Sequence, residues 1–142
     1  KLDETSLISA VDLLPTFCAI AGAELPKDYQ PDGLSQVDVL MGKAKSKREK
    51  PLYWKINAAW PAQDKKPDHW VSYVIVDQQW KLVTNKDGSY SELYDIVSDP
   101  YEKNDLKGEH AGVLASLTEK LSGWKSQLPS EPDSNCFSRH RN

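Results

Sequence analysis

The sequence predicts an α+β domain, an antiparallel sheet of about four strands with a C-terminal helix packed on it. Short segments with strand composition, joined by tight turns, lie between residues 51 and 97, and a long helical pattern with one apolar stripe follows them. Because strands on short turns pair antiparallel and an apolar helix face needs a partner, the helix is expected to cover the sheet.

The strands are predicted from β-branched and aromatic residues bounded by turn residues. The strongest pattern places Val71 and Ile75 on one face and Val74 and Val76 on the other. Apolar groups on both faces predict a central strand that is covered on both sides. In chain order the predicted strands are Leu52–Ile56, Trp70–Val76, Trp80–Thr84 and Glu92–Ile96, with reversals at Asp77–Gln79 and Asn85–Gly88.

One helix is predicted on each side of the strands. The first spans residues 12 to 21, with Asp12 as its N-cap, Pro15 in its first turn and Gly22 as its C-terminal stop. The second spans residues 109 to 128 and ends before Pro129. Its apolar stripe consists of Val113, Leu117, Leu121, Trp124 and Leu128.

Composition divides the chain into three parts. Residues 23–50 are rich in turn formers and charge, which predicts a connector and a boundary. The predicted parts are therefore 1–50, 51–128 and a polar tail at 129–142. Within the connector, the basic run that contains Arg48 is interpreted as a solvated loop. Cys18 is interpreted as a small core side chain, and Cys136 lies in the tail.

Composition and spacing argue against several classes of protein. The net charge of −3 does not suit a nucleic-acid partner, and no apolar run approaches the ~20 residues of a membrane span. There is no glycine-rich phosphate loop, and the histidines lack metal-ligand spacing. The acidic residues between 95 and 105 are interpreted as turn caps. No catalytic residue, metal site or cofactor is predicted within this chain.

Motifs in a fixed order extend over residues 5 to 128. They are Asp12–Thr16, Ala21–Ala23, Asp32–Ser35, Leu40–Gly42, Pro51–Trp54, Asp77–Val83, Glu92–Ile96, Asp99–Pro100 and Glu102–Leu106. The ordered set resembles the C-terminal region of type I (formylglycine-dependent) sulfatases and arylsulfatase-like proteins. In that family the hairpin equivalent to Asp77–Val83 usually reads Arg-Asp-Gly-x-Trp-Lys-Leu.

The resemblance implies the same four-stranded sheet and C-terminal helix, preceded by a helix left over from an α/β sulfatase catalytic domain. It implies hydrolysis of sulfate esters of carbohydrates or aryl groups by a parent protein that is secreted, periplasmic or lysosomal. The formylglycine nucleophile, made from Cys or Ser in Cys-x-Pro/Ala-x-Arg, and a calcium ion would belong to the parent's N-terminal region. The isolated chain is expected to be inactive, with a role in supporting the fold and selecting substrate.

In such proteins the small C-terminal subdomain can help to select the substrate, and the loop after its first strand is the natural candidate for that contact. The predicted substrate-binding residues are therefore Lys55, Asn57, Trp60 and His69. Lys55 could meet an anionic substrate, and Trp60 could stack on a sugar ring. The alternative for each of these residues is that it is an ordinary solvated loop residue or, for Trp60, a residue that packs against the protein. The expected partners are the N-terminal sulfatase catalytic domain and sulfated carbohydrate, with no nucleic acid and no membrane.

Two further expectations separate the alternatives. If the chain is part of a sulfatase, Leu13, Phe17 and Ile20 should form an exposed apolar face on the helix at 12–21, which self-association could cover. If it is instead a stand-alone carbohydrate- or protein-binding module, its five Trp and six Tyr should provide an exposed coplanar platform. A free-standing hydrolase is the third alternative, and no motif supports it.

Overall fold

The structure, a computed structural model, describes residues 6–45, 48–56 and 71–130. A 3-10 turn at Ala10–Asp12 leads into α1, and the elements in chain order are α1 (Leu13–Ala21), α2 (Val37–Leu40), β1 (Leu52–Lys55), β2 (Tyr73–Asp77), β3 (Trp80–Thr84), β4 (Ser91–Asp95) and α3 (Ala111–Gln127). None of the helices in these ranges has the length and apolar content that a membrane crossing requires.

The four strands form one sheet in the order β1-β2-β3-β4, and each strand is antiparallel to the next. The register aligns Tyr53, Ile75, Leu82 and Leu93 in one row across all four strands. Such a row arises because side chains alternate between the faces of each strand, so residues in register share a face. The α+β architecture predicted from the sequence is confirmed.

The helix α3 covers the face of the sheet that carries this row. Ile75, Leu82 and Leu93 are completely buried, and they pack against Leu117 and Leu121 of α3. Burying each of these side chains stabilises the fold by about 1.5–3 kcal/mol. The apolar stripe predicted for the second helix is therefore the contact between helix and sheet.

The opposite face of the sheet holds a second buried cluster. Leu52, Val74, Val76, Val83 and Tyr94 form it, with Leu7, Val71 and Ile96 packed against it. The prediction of a central strand covered on both sides is thus confirmed. The face assigned to Val71 is wrong, because β2 begins only at Tyr73 and its two-residue alternation does not extend back to Val71. Trp70 lies outside the described residues.

The start of the first helix differs from the prediction. Asp12 has helical backbone angles and makes no side-chain cap to α1; its Oδ2 accepts a hydrogen bond from Ser9 N at 2.8 Å. Ser9, with extended angles, is the residue at which the helical segment begins. The predicted stop is confirmed, since Gly22 has a φ of 65° and ends α1 in the left-handed region.

Two other interpretations of the N-terminal region are wrong at one residue each, Arg48 and Cys18. Arg48 is buried, because it pairs with the buried Asp12, whereas its basic neighbours Lys43 and Lys50 are exposed. Cys18 is only half-buried, because α1 turns the side carrying Pro15 and Thr16 toward the protein. Cys136 lies outside the described residues.

The two-residue loop between β2 and β3 holds a strained residue. Gln78 has a φ of 54°, in the region where side chains other than glycine are disfavoured by about 1–2 kcal/mol. When the related hairpin motif is aligned through its Trp-Lys-Leu with Trp80–Leu82, it has glycine at this position. We expect Gln78→Gly to raise the free energy of unfolding by roughly 0.5–1 kcal/mol, because relief of strain exceeds the added entropy of the unfolded chain.

Urea denaturation followed by circular dichroism measures this change. The matched control is Gln79→Gly, one residue further along, where φ is not positive. That substitution should lower stability by up to about 1 kcal/mol. A loss of stability in both variants would show that Gln78 carries no strain.

Candidate substrate-binding cleft

The structure describes one of the four residues that the sequence assigns to substrate binding. Lys55 is the last residue of β1 and is exposed. Asn57, Trp60 and His69 lie outside the described residues, so their role stays a prediction.

Lys55 lines a cleft of about 540 Å³ at one end of the sheet, which we call the lysine cleft. Its walls come from the end of β1, the start of β2, the turn between β3 and β4, and the end of α3. The residues that matter here are Lys55, Ile56, Tyr73, Lys86, Lys125 and Leu128.

Strand register and helix packing bring these residues together. Lys55 lies opposite Tyr73, and Tyr73 lies opposite Thr84, two positions before Lys86. The helix is held against the edge strand by Trp124, whose ring stacks on that of Tyr53 at 4.9 Å and 9°. These contacts fix the end of α3 above the end of β1.

Of the three lysines that line the cleft, Lys125 has two contacts through its ammonium group. Its Nζ lies 4.2 Å from the centroid of the Tyr73 ring and donates to the carbonyl of Lys86 at 3.4 Å. A cation over an aromatic face in this range is held electrostatically. The Nζ groups of Lys55 and Lys86 have no such partner among the described residues; the ion pairs found there use Arg48, Lys81, Lys107 and Lys120.

Among the residues that the structure describes, no acidic side chain lines the lysine cleft. Asp87 follows Lys86 but is directed into the turn, where Ser89 N and Oγ donate to its Oδ1 at 3.0 and 2.8 Å. These hydrogen bonds hold the pKa of Asp87 below its ordinary value. The carboxyl end of α3 contributes about half a negative charge, so the lining groups sum to about +2.5. The lysine cleft therefore suits an anionic group.

Sequence reasoning found Lys55 but missed Lys86 and Lys125. Lys86 lies in a turn. Lys125 lies in the last turn of α3, directly after Trp124 of the apolar stripe, and a cation near the C-terminal end of a helix is common. The hairpin register together with the orientation of α3 is what places Lys86 and Lys125 beside Lys55.

The acidic residues between 95 and 105 form turns, as interpreted from the sequence. Asp99 Oδ2 accepts from Lys103 N at 2.7 Å and Asn104 N at 2.9 Å. Asp105 Oδ1 accepts from Leu93 N at 3.0 Å. Across the residues that the structure describes, no three His, Cys, Asp or Glu side chains come together as metal ligands. The carboxylates of Asp99 and Asp105 thus serve to hold the backbone of this segment.

The described aromatic side chains do not form the platform that a stand-alone binding module would need, and Trp60 and Trp70 lie outside the described residues. Trp124 stacks on Tyr53, and the Trp80 ring packs at 53° against His110. Trp54 is 38% exposed. Within the described ranges, the paired rings are occupied by protein contacts and leave no coplanar exposed surface.

A second surface of note lies on α1. Leu13, Leu14, Phe17 and Ile20 form what we call the α1 face, and they are 47%, 49%, 59% and 63% exposed. Exposure of these side chains agrees with the expectation for a chain that is part of a sulfatase. Large apolar patches on a folded domain usually mark a contact with another surface.

Comparison with known proteins identifies the class to which this architecture belongs. A solved 2-O GAG sulfatase superposes with a TM-score of 0.63 at 22% identity, over 96% of this chain and 30% of that one. The two proteins therefore share the fold of the sheet with its C-terminal helix. The family model described as N-sulphoglucosamine sulphohydrolase, C-terminal, matches residues 1–127, and the chain belongs to that family.

Curated relatives are sulfatases several times longer. An N-acetylglucosamine-6-O-sulfatase of Bacteroides thetaiotaomicron is 31% identical over 92% of this chain and 24% of its own length. An N-acetylgalactosamine-6-O-sulfatase of the same organism is 25% identical over 87% of this chain and 24% of its own length. Arylsulfatase K of Bos taurus is 27% identical over 85% and 22%. The chain thus spans about a quarter of the length of these relatives.

Proposed function

We propose that this chain is the C-terminal part of a sulfuric ester hydrolase acting on sulfated carbohydrate, in which it braces the catalytic region and helps to select the substrate. The observation that carries the proposal is the α1 face, an apolar helix surface without a partner among the described residues. Its occupant would be the N-terminal catalytic domain, since the relatives have about three quarters of their length outside the matched region.

Both ends of α1, the helix that carries the α1 face, are fixed by local contacts. Gly22 ends the helix, and a buried ion pair between Asp12 and Arg48 anchors its start. A rigid apolar surface binds with little loss of conformational entropy, so burial of its side chains is gained at low cost.

The names of the relatives and the charge of the lysine cleft support the proposed substrate class. Two relatives are named for 6-O-sulfated amino sugars, and a solved relative, 30% identical with a TM-score of 0.58 over 82% of this chain and 23% of that one, is described in complex with D-glucosamine-2-N,6-O-disulfate. Lysine ammonium groups suit sulfate oxygens as compact charges with several donors. Lys55 would contact the substrate, and the nucleophile and calcium would be held by the rest of the parent.

A sulfatase assay tests this division of labour. The parent protein, which should carry Cys/Ser-x-Pro/Ala-x-Arg upstream of Lys1, is expected to hydrolyse 4-nitrophenyl sulfate. The chain alone is expected to release no nitrophenol under the same conditions. Turnover by the chain alone, or a parent reading frame without that motif, would overturn the proposal.

The contribution of the first-strand loop is tested in the parent with Lys55→Ala combined with Trp60→Ala. We expect KM for the sulfated carbohydrate to rise roughly tenfold with little change in kcat, because the lost contacts act in substrate binding rather than in the chemical step. Lys43→Ala, which removes an exposed lysine outside the lysine cleft, is the matched control. Unchanged kinetics in the double variant would remove Lys55 and Trp60 from the substrate site.

A further inference from the structure

We propose that the lysine cleft binds a second anionic group of the substrate, a sulfate or carboxylate on the carbohydrate other than the ester that is cleaved, and that Lys86 and Lys125 are its ligands. This proposal rests on the proposed function, since it assigns a subsite within a sulfated carbohydrate. It extends the site from the loop after β1 to the β3–β4 turn and the end of α3.

Among the residues that the structure describes, the lysine cleft is lined by three basic side chains and by no acidic one. The basic side chains are those of Lys55, Lys86 and Lys125. The three basic side chains come from separate elements, so the concentration results from the fold and not from a run of lysines in the sequence. Like charges brought together in this way repel one another, and an anion between them relieves that repulsion.

The Lys125 ammonium retains capacity for a ligand. It uses one donor on the carbonyl of Lys86 and faces the Tyr73 ring on one side. An ammonium has three donors, so two stay available. The Tyr73 ring and the Lys86 carbonyl also restrict the side chain, which lowers the entropy lost when an anion binds.

The size and remaining walls of the lysine cleft suit a sugar residue. Its volume of about 540 Å³ falls within the roughly 300–1,000 Å³ of small-molecule sites. Ile56 and Leu128 supply apolar surface beside the lysines, against which the C–H face of a pyranose can pack. A free inorganic sulfate would leave this surface unused.

The described lining of the lysine cleft offers ligands for an anion and no histidine or carboxylate base. The described walls carry two aliphatic hydroxyls, Ser72 and Ser130, and no His, Asp or Glu of the lining is present to act as a base for either. We therefore assign the lysine cleft to recognition of a group that is retained, while the scissile ester lies at the nucleophile of the parent.

Titration of the full chain tests the subsite directly, with D-glucosamine-2-N,6-O-disulfate as the probe and NMR chemical shifts as the readout. We expect saturable shifts at Ser72, Tyr73, Lys86 and Lys125. Glucosamine without sulfate should produce none, and inorganic sulfate should bind roughly tenfold more weakly because it makes no sugar contact. Sulfate binding as tight as the disulfated sugar would overturn the assignment to a carbohydrate.

The variant Lys86→Gln with Lys125→Gln should weaken binding of the disulfated sugar by roughly tenfold or more, since each lost ammonium removes one short-range attraction. The control Lys27→Gln with Lys43→Gln removes the same charge at exposed positions outside the cleft and should leave the affinity within about twofold. Lys86→Gln alone, in an exposed turn, keeps the test valid if the double variant unfolds. Equal affinity in all variants would overturn the subsite.

In the parent, the double lysine variant should raise KM for the disulfated sugar by a larger factor than it raises KM for 4-nitrophenyl sulfate. The aryl sulfate has no second anionic group and cannot use the subsite. If the unmodified parent did not hydrolyse the aryl sulfate, the proposed function would be contradicted. If KM for the disulfated sugar were unchanged in the double lysine variant, only the subsite would be contradicted.

Discussion

Asp12→Asn is expected to lower the free energy of unfolding by about 3–5 kcal/mol, the cost of leaving one member of a buried ion pair without its counter-charge. Arg48 Nη1 donates to Asp12 Oδ1 at 3.0 Å and Oδ2 at 2.8 Å, and the two side chains are 2% and 1% exposed. Nε and Nη2 of Arg48 have no hydrogen-bond partner in the described part of the chain, so little else compensates the guanidinium.

The carboxylate of Asp12 also organises the backbone around it. It accepts from Ser9 N and from Leu34 N, each at 2.8 Å. The backbone carbonyl of Asp12 accepts a hydrogen bond from Thr16 Oγ1 at 2.6 Å, and Thr16 Oγ1 in turn accepts one from Gln36 N at 2.9 Å. One residue therefore joins the start of α1 to the segment before α2 and to Arg48.

Urea denaturation of Asp12→Asn and of the exposed neighbour Asp32→Asn measures the effect. The control should change stability by no more than about 0.5 kcal/mol. Asp12→Leu with Arg48→Met should lose less than the sum of the two single changes, because an apolar pair leaves no buried charge. A loss below about 1 kcal/mol for Asp12→Asn would show that the pair is not buried in solution.

The same carboxylate gives the fold a dependence on pH. Burial raises the pKa of Asp12. The hydrogen bonds from Arg48, Leu34 N and Ser9 N, together with the Arg48 charge, lower this pKa by more than burial raises it, so it lies below its ordinary value. A depressed folded pKa contributes stability that is complete above about pH 4 and is lost as the pH falls through the folded value. Denaturation at pH 6 and pH 3 should show this loss, and Asp12→Asn should show less of it.

Gly33→Ala is expected to cost about 3 kcal/mol, because the added methyl group has no space. A Cβ at Gly33 would lie 2.0 Å from Val11 O, 2.4 Å from Val11 C and 2.7 Å from Asp12 N. All three are backbone atoms at the start of the helical segment, so they cannot move aside as a side-chain end could. The close approach is also what brings Leu34 N within reach of Asp12.

Gly112→Ala is the matched control for this substitution. Gly112 lies in α3, and the position that an alanine Cβ would take there has no neighbouring atom of the described chain within 4 Å. Alanine should therefore stabilise the helix by roughly 0.5–1 kcal/mol. Thermal denaturation should shift in opposite directions for the two variants. A Gly33→Ala protein as stable as the unmodified chain would contradict the close approach of the 33–34 segment to α1.

The sheet and α3 could be predicted because their signals are local and periodic. Alternation along β2 and the three-to-four-residue spacing of Leu117, Leu121 and Trp124 are set by the geometry of each element. The Asp12–Arg48 pair could not be predicted this way, since its members are 36 positions apart and Arg48 lies in a run that reads as solvated. Polar partners at long range leave no periodic trace in one sequence.

The candidate site likewise combines a residue that local sequence predicts with residues that only the tertiary structure brings together. Lys55 follows a recognisable strand, and the resemblance to sulfatases directs attention to the segment after it. Lys86 and Lys125 reach the lysine cleft only through hairpin register and the stacking of Trp124 on Tyr53. Hairpin register alone was open to prediction, but the angle at which α3 crosses the sheet was not.

The most direct test of the place of this chain in a larger sulfatase is solvent labelling of the α1 face by hydroxyl-radical footprinting and mass spectrometry. Leu13, Leu14, Phe17 and Ile20 should label strongly in the dilute chain alone and be protected in the full-length parent. Exposed Tyr101, outside this surface, should label equally in both and serves as the internal control. Equal labelling of the α1 face in both proteins would contradict docking of this face onto the catalytic region.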